Sequence, residues 1–206
     1  MLFRSSTALA EREDPEVVQS LVGRAFDRLA VEIERYGGLL EKFMGDAVLA
    51  VFGVPQAHED DPERAVRAAL ELQAVLSELN RGFAAEGRPT LAMRVGVEAG
   101  EVLVDLDRAA GPRDRMLTGD AVNTASRLEG LTKEYDCELV VSEETVGRAG
   151  LDLSGFARHE IEIRGKREML AVRTLARASD LPRHGAIPVR GIEPAKPAVA
   201  VLPADP

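Results

Sequence analysis

Two helix starts of the same chemistry bracket a short hairpin in the first part of the chain, and this restricts the fold more than any other feature. Asp14-Pro15-Glu16 and Asp61-Pro62-Glu63 each offer a carboxylate that can cap, a proline suited to a first turn and an acid at the positive helix end. After the first, Val18, Leu21, Val22, Phe26, Leu29 and Ile33 recur at helical spacing until Gly37-Gly38 stops the run. After the second, Ala65, Ala69, Leu72, Leu76 and Leu79 form an apolar stripe. Between them, two apolar runs at 39–43 and 47–52 flank Met44-Gly45-Asp46, the pattern of a β-hairpin.

Residues 81–90 are polar, contain Gly and Pro, and predict a loop. Residues 91–97 alternate as a strand, with 101–106 as the expected partner across Gly100. A loop is expected over 109–115, a helix over 120–133, and strands over 139–141, 159–163 and 170–175. Helix, hairpin, helix, strand pair, helix, strands is an α+β order, with helices packed on a largely antiparallel sheet. From about residue 178 the composition changes. Pro182, Pro188, Pro194, Pro197, Pro203 and Pro206 crowd a stretch with few large apolar side chains. The expected organisation is one domain over 1–177 and a Pro-rich flexible tail or linker over 178–206.

The composition narrows the function. The 206 residues are 45% hydrophobic, enough for a core without disulfides, and the single Cys137 cannot form an internal one. A net charge of −9 argues against nucleic acid or an anionic membrane as a partner. The longest apolar run, 47–52, is too short to span a bilayer, and residues 1–10 hold no signal-like segment. These features predict a soluble, cytoplasmic domain. There is no G-x-G-x-x-G, and Gly165-Lys166 is followed by Arg167, which excludes a Walker A loop. His58, His159 and His184 are too scattered for a zinc cluster or a triad.

Four local features could carry chemistry. Asp46 falls at the hairpin tip with Lys42 on the adjoining strand, and a carboxylate there suits magnesium; Gly-Asp is also ordinary turn chemistry. Asn123 and Arg127 are four residues apart on one helix face and could hold a ribose oxygen and a phosphorane charge; they also suit a plain polar face. Gly96 and Gly100 fit a strand closely approached by another backbone, or a simple hairpin. Arg164-Gly165-Lys166-Arg167 is a cationic turn that could clamp phosphates or stand in solvent.

Taken in order, Glu41-Lys42-Phe43-Met44-Gly45-Asp46, His58-Glu59-Asp60-Asp61, Arg94-Val95-Gly96-Val97-Glu98-Ala99-Gly100-Glu101, the run from Thr118 to Glu129, and Arg164-Gly165-Lys166 closely resemble bacterial class III adenylate/guanylate cyclase catalytic domains. The resemblance covers about residues 5–176. It implies a ferredoxin-like α+β fold, and head-to-tail dimers, homomeric or with another cyclase domain, whose active sites lie at the interface. It implies ATP as substrate, GTP less so, with Mg2+ or Mn2+ as cofactor. In this scheme Asp46 matches the second metal aspartate and Lys42 a purine reader whose lysine points to adenine. Met116 stands where the family often has Asp or Thr as second purine reader, and a thioether is a poor hydrogen-bond partner. Asn123 matches the ribose-orienting residue, Arg127 the transition-state arginine and Lys166 the lysine on the terminal phosphates. Counting back from Thr7, the first metal aspartate falls at Leu2. The resemblance therefore predicts an N-terminally truncated domain with its first strand largely missing, unpaired backbone on that strand's neighbours, reduced stability, and little or no activity. The alternative it leaves is an inactive cyclase domain acting as a regulatory or heterodimer partner.

Overall fold

The computed structural model describes residues 1–5, 14–44, 47–104, 117–163 and 168–177. Strand β1 (Leu2–Ser5) precedes helix α1 (Pro15–Arg35), the hairpin β2 (Gly38–Met44) and β3 (Ala47–Phe52), helix α2 (Asp61–Ala85) and strand β4 (Met93–Val97). Then come β5 (Leu103–Val104), β6 (Leu117–Thr118), α3 (Asp120–Glu134), β7 (Leu139–Ser142), α4 (Glu143–Ala149), β8 (Ala157–Ile161) and β9 (Leu170–Leu175). Seven strands form one sheet in the order β2-β3-β1-β4-β7-β9-β8. Its neighbours are antiparallel except β4 and β7, so the sheet is mixed. The first six elements, βαββαβ, are a ferredoxin-like unit.

Successive strand residues face opposite sides of a sheet, and the two sides here bury different helices. Val48, Ala50, Val95, Val97, Leu139 and Val141 share one core with Leu21, Leu29 and Ile33 of α1, Val66 and Leu72 of α2, and Val146 of α4. On the other side, Leu49 meets Ala125 and Val122 of α3, and Val140 and Val172 meet Leu128. The first helix begins as its sequence dictates: the Asp14 carboxylate accepts from the Glu16 amide at 2.8 Å. It ends at Gly37, whose φ of 76° is the left-handed conformation that glycine tolerates.

Several expectations change. Helix α2 runs to Ala85, through part of the predicted 81–90 loop. Phe83 is fully buried, with the Arg24 guanidinium 4.9 Å from its ring centre, and this packing carries the helix onward. The expected pairing of 91–97 with 101–106 does not form, because both edges of β4 are taken by β1 and β7, and β5 pairs with β6 instead. The sequence reading missed α4, a two-turn helix capped by Ser142, whose hydroxyl accepts from the Thr145 amide at 3.2 Å.

The strand position expected to be largely missing is occupied by a short strand. Four-residue β1 lies between β3 and β4, pairing Leu2 with Leu49 and Gly96, and Arg4 with Ala47 and Arg94. The Ala50 amide also donates to the Met1 carbonyl at 3.0 Å. Over that length the neighbouring backbones are satisfied, which removes the expected unpaired groups. The predicted 109–115 loop and 178–206 tail lie outside the described residues.

Cys137 lies in the smaller core with Leu128, Val140, Ile161 and Val172. Burial pushes its thiol up to about 11, partly offset by a backbone hydrogen bond with Leu139. The folded thiol holds its proton more tightly than the unfolded one, ordinarily near 9. Its contribution to stability is therefore complete below pH 9 and disappears as pH climbs through about 11. Native protein at pH 8 is expected to resist alkylation by iodoacetamide, and to react readily once denatured; mass spectrometry reads both.

Candidate active site

The site is built on the seat of α3. A Cβ at Gly96 would lie 2.4 Å from both the Ala125 carbonyl oxygen and the Glu129 amide nitrogen. Only glycine lets the helix backbone rest directly on β4. Gly119, at the start of α3, also lies close to the chain beyond β4, since a Cβ there would come within 2.7 Å of the Glu101 carbonyl oxygen. With Ala121, Thr124, Ala125, Leu128, Glu129 and Thr132 turned inward, Asn123 and Arg127 stand exposed on the opposite face. They are one turn apart, about 6 Å along the axis, as their four-residue spacing requires. This is the arrangement that a helix needs to present an amide and a guanidinium together to a ligand outside the domain.

Lys42 is tied to this seat by strand register. It pairs with Leu49, Leu49 pairs with Leu2, and Leu2 pairs with Gly96. Lys42 therefore occupies one row with Gly96, three strand spacings or ~14 Å away. Met44 pairs with Ala47 across the hairpin end. Asp46, Met116 and Lys166 lie outside the described residues. The structure thus brings Asn123 and Arg127 together and sets Lys42 on the strand row that leads to Gly96, where α3 rests.

A two-metal centre of the kind the resemblance implies needs a carboxylate on β1 as well as one on the hairpin. Strand β1 is Leu2-Phe3-Arg4-Ser5, so no register shift along it supplies one, and residues 1–10 contain no Asp or Glu. Among the described residues, no group of three or more His, Cys, Asp or Glu could hold a metal ion. The residues on this strand do not fit the metal pair.

This ferredoxin-like unit, with α3 seated on one face and presenting Asn123 and Arg127, agrees with the cyclase fold that the resemblance implies. The solved structure of the guanylyl cyclase Cya2 superposes with a TM-score of 0.72 and 26% identity, covering 85% of this chain and 90% of that one. The adenylyl cyclase CyaB from P. aeruginosa shares the fold, with a TM-score of 0.69 and 24% identity over 84% of this chain and 91% of that one. The profile of the family described as the adenylate and guanylate cyclase catalytic domain matches residues 2–174, and the chain belongs to that family. Among curated relatives, the adenylate cyclase of Anabaena cylindrica is 27% identical over 177 residues, which are 82% of this chain and 34% of that protein. Adenylate cyclase 1 of Rhizobium meliloti is 31% identical over 145 residues, 69% of this chain and 21% of that protein. The chain accordingly spans between a fifth and a third of the length of these two relatives. No described helix is long and apolar enough to cross a membrane.

Proposed function

We propose that this domain serves the cyclisation of ATP to 3′,5′-cyclic AMP and pyrophosphate at a site shared between two cyclase domains. The observation that carries the reading is the exposed Asn123–Arg127 pair, held in place by the backbone contact of α3 with Gly96. Asn123 orients the ribose. Arg127 meets the charge that builds on the phosphate oxygens during attack by the 3′ hydroxyl, where a pre-placed cation lowers the barrier. Lys42 reads the adenine edge, Met116 holds the position of the second purine reader, and Lys166 holds the terminal phosphates. Asp46, which matches the family's second metal aspartate, meets the divalent cation, Mg2+ or Mn2+.

The composition of β1 favours a second reading beside the first. With no carboxylate on that strand, the domain lends Asn123 and Arg127 to a site whose metal ligands come from an unlike cyclase domain. One assay separates the two. Cyclic AMP is measured with ATP and Mn2+ for the chain alone, for its Asp46→Ala variant, and for its mixture with a cyclase domain that has intact carboxylates but lacks its own Asn and Arg. Product from the chain alone that vanishes in Asp46→Ala supports a self-sufficient enzyme. Product only in the mixture supports the partner role. A folded chain that yields none in either condition overturns both.

A further inference from the structure

The acids at the start of α2 do not do what their sequence position suggests. Asp60 is the N-cap, yet it makes no side-chain capping bond, and the Asp61 carboxylate is turned into a buried cluster instead. Arg64, one turn into the helix, is its centre. The Arg64 Nη2 donates to the Asp61 Oδ1 and to the His58 Nδ1, the latter at 2.8 Å. Its Nη1 donates to the Tyr36 carbonyl oxygen at 3.3 Å. Its Nε lies 3.3 Å from the Asp60 Oδ1. The second Asp61 oxygen accepts from the His58 amide at 2.6 Å. A guanidinium only donates, so the His58 ring must offer its Nδ1 lone pair, with the ring proton on Nε2. The side chains of Arg64, Asp61 and His58 are only 16%, 12% and 19% exposed.

The place of this cluster matters more than its strength. Gly38 pairs with Phe52 at the base of the β2–β3 hairpin. The chain enters β2 through Tyr36-Gly37 and leaves β3 through Gly53. Gly37 has φ 76°, and a Cβ there would lie 2.3 Å from the Arg64 Nη1. Gly53 has φ 88°, and a Cβ there would lie 2.8 Å from the Asp61 Oδ2. One arginine thus touches the backbone before β2 directly and the turn after β3 through Asp61.

We propose that Arg64, with Asp61 and His58, is a latch that fixes the base of the β2–β3 hairpin against α2 and so positions the strand bearing Lys42. The functional consequence rests on the reading of Lys42 as a nucleotide contact; the latch itself does not. Hydrogen–deuterium exchange on the full chain tests it, comparing peptides from 38–52 with peptides from β4 and α3. His58→Ala keeps the Arg64–Asp61 pair and the fold, and is expected to speed exchange in 38–52 by ~10-fold, the worth of one hydrogen bond to a charged group. The rest of the sheet should stay unchanged. His58→Asn places an amide oxygen where Arg64 can donate, and should restore protection. Arg64→Met should exceed His58→Ala in the same segment. Exchange in 38–52 that is unaltered in His58→Ala, or that rises equally across the domain, would overturn the latch. Affinity for a fluorescent ATP analogue, read on the same proteins, should weaken in His58→Ala and return in His58→Asn. Loosened hairpin exchange with unaltered affinity would leave the latch standing and overturn the role given to Lys42.

Discussion

Gly96→Val is expected to lower the thermal midpoint of the domain by roughly 10 °C or more. The new Cβ would sit 2.4 Å from the Ala125 carbonyl oxygen and the Glu129 amide nitrogen, and 3.0 Å from the Leu128 carbonyl carbon. These are backbone atoms in the middle of α3, and no rotamer change can move them. The strand cannot retreat either, because β4 is held on both edges by β1 and β7. Overpacking a core side chain usually costs about 1–3 kcal/mol. A collision between two rigid backbones belongs at or above the top of that range, out of a total stability on the order of 5–15 kcal/mol. Gly96→Ala should show a smaller loss of the same kind. Far-UV circular dichroism during heating measures both. A valine variant that melts within a few degrees of the wild type would mean that α3 does not rest on β4 as described, and the placement of Asn123 and Arg127 would fall with it.

Arg127→Ala is expected to show the opposite pattern, a large functional loss with little change in stability. Arg127 is exposed on α3, and surface substitutions of this kind usually stay within about 0.5 kcal/mol. Under the proposed function, its removal withdraws a cation from the charge that develops on the reacting phosphate. The loss of one such pre-placed donor lowers turnover by ~10²–10³-fold. The initial rate of cyclic AMP formation, taken in whichever assembly is productive, measures it. Arg127→Lys should recover only part of the rate, since an ammonium lacks the planar fork that grips two oxygens at once. Ser126→Ala, also exposed on α3, is the control and should leave the rate unchanged. A loss under about threefold in Arg127→Ala would remove this residue from the reacting phosphate, the stabilising role that preorganised cations have in such reactions.

What the sequence determined by itself was local. Asp14 caps α1 because its carboxylate lies within reach of an amide two residues on, and Gly37 ends the helix because it tolerates positive φ. The runs that end at Met44 and begin at Ala47 pair because only two residues separate them in sequence, which leaves them no other neighbour so close. Asn123 and Arg127 share a face because a helix turns every 3.6 residues. The family resemblance was likewise legible, in the order of short motifs.

The tertiary structure decided which of several partners each group received. Strand periodicity states which face is buried, but not which strand lies alongside, because every extended backbone offers the same donors and acceptors. Residues 101–106 therefore looked like partners of 91–97 until β1 and β7 claimed both edges of β4. The first strand was expected to be largely missing, yet residues 2–5 pair with one neighbour on each side, β3 and β4. Asp61 had the sequence position of a helix-start acid and was drawn into a cluster with Arg64 and His58. Gly96 was compatible with either a hairpin or a close approach, and only the docking of α3 settled which. Local geometry is fixed by covalent neighbours, whereas pairing and burial are won in competition among segments distant in sequence, and that competition has no local signature.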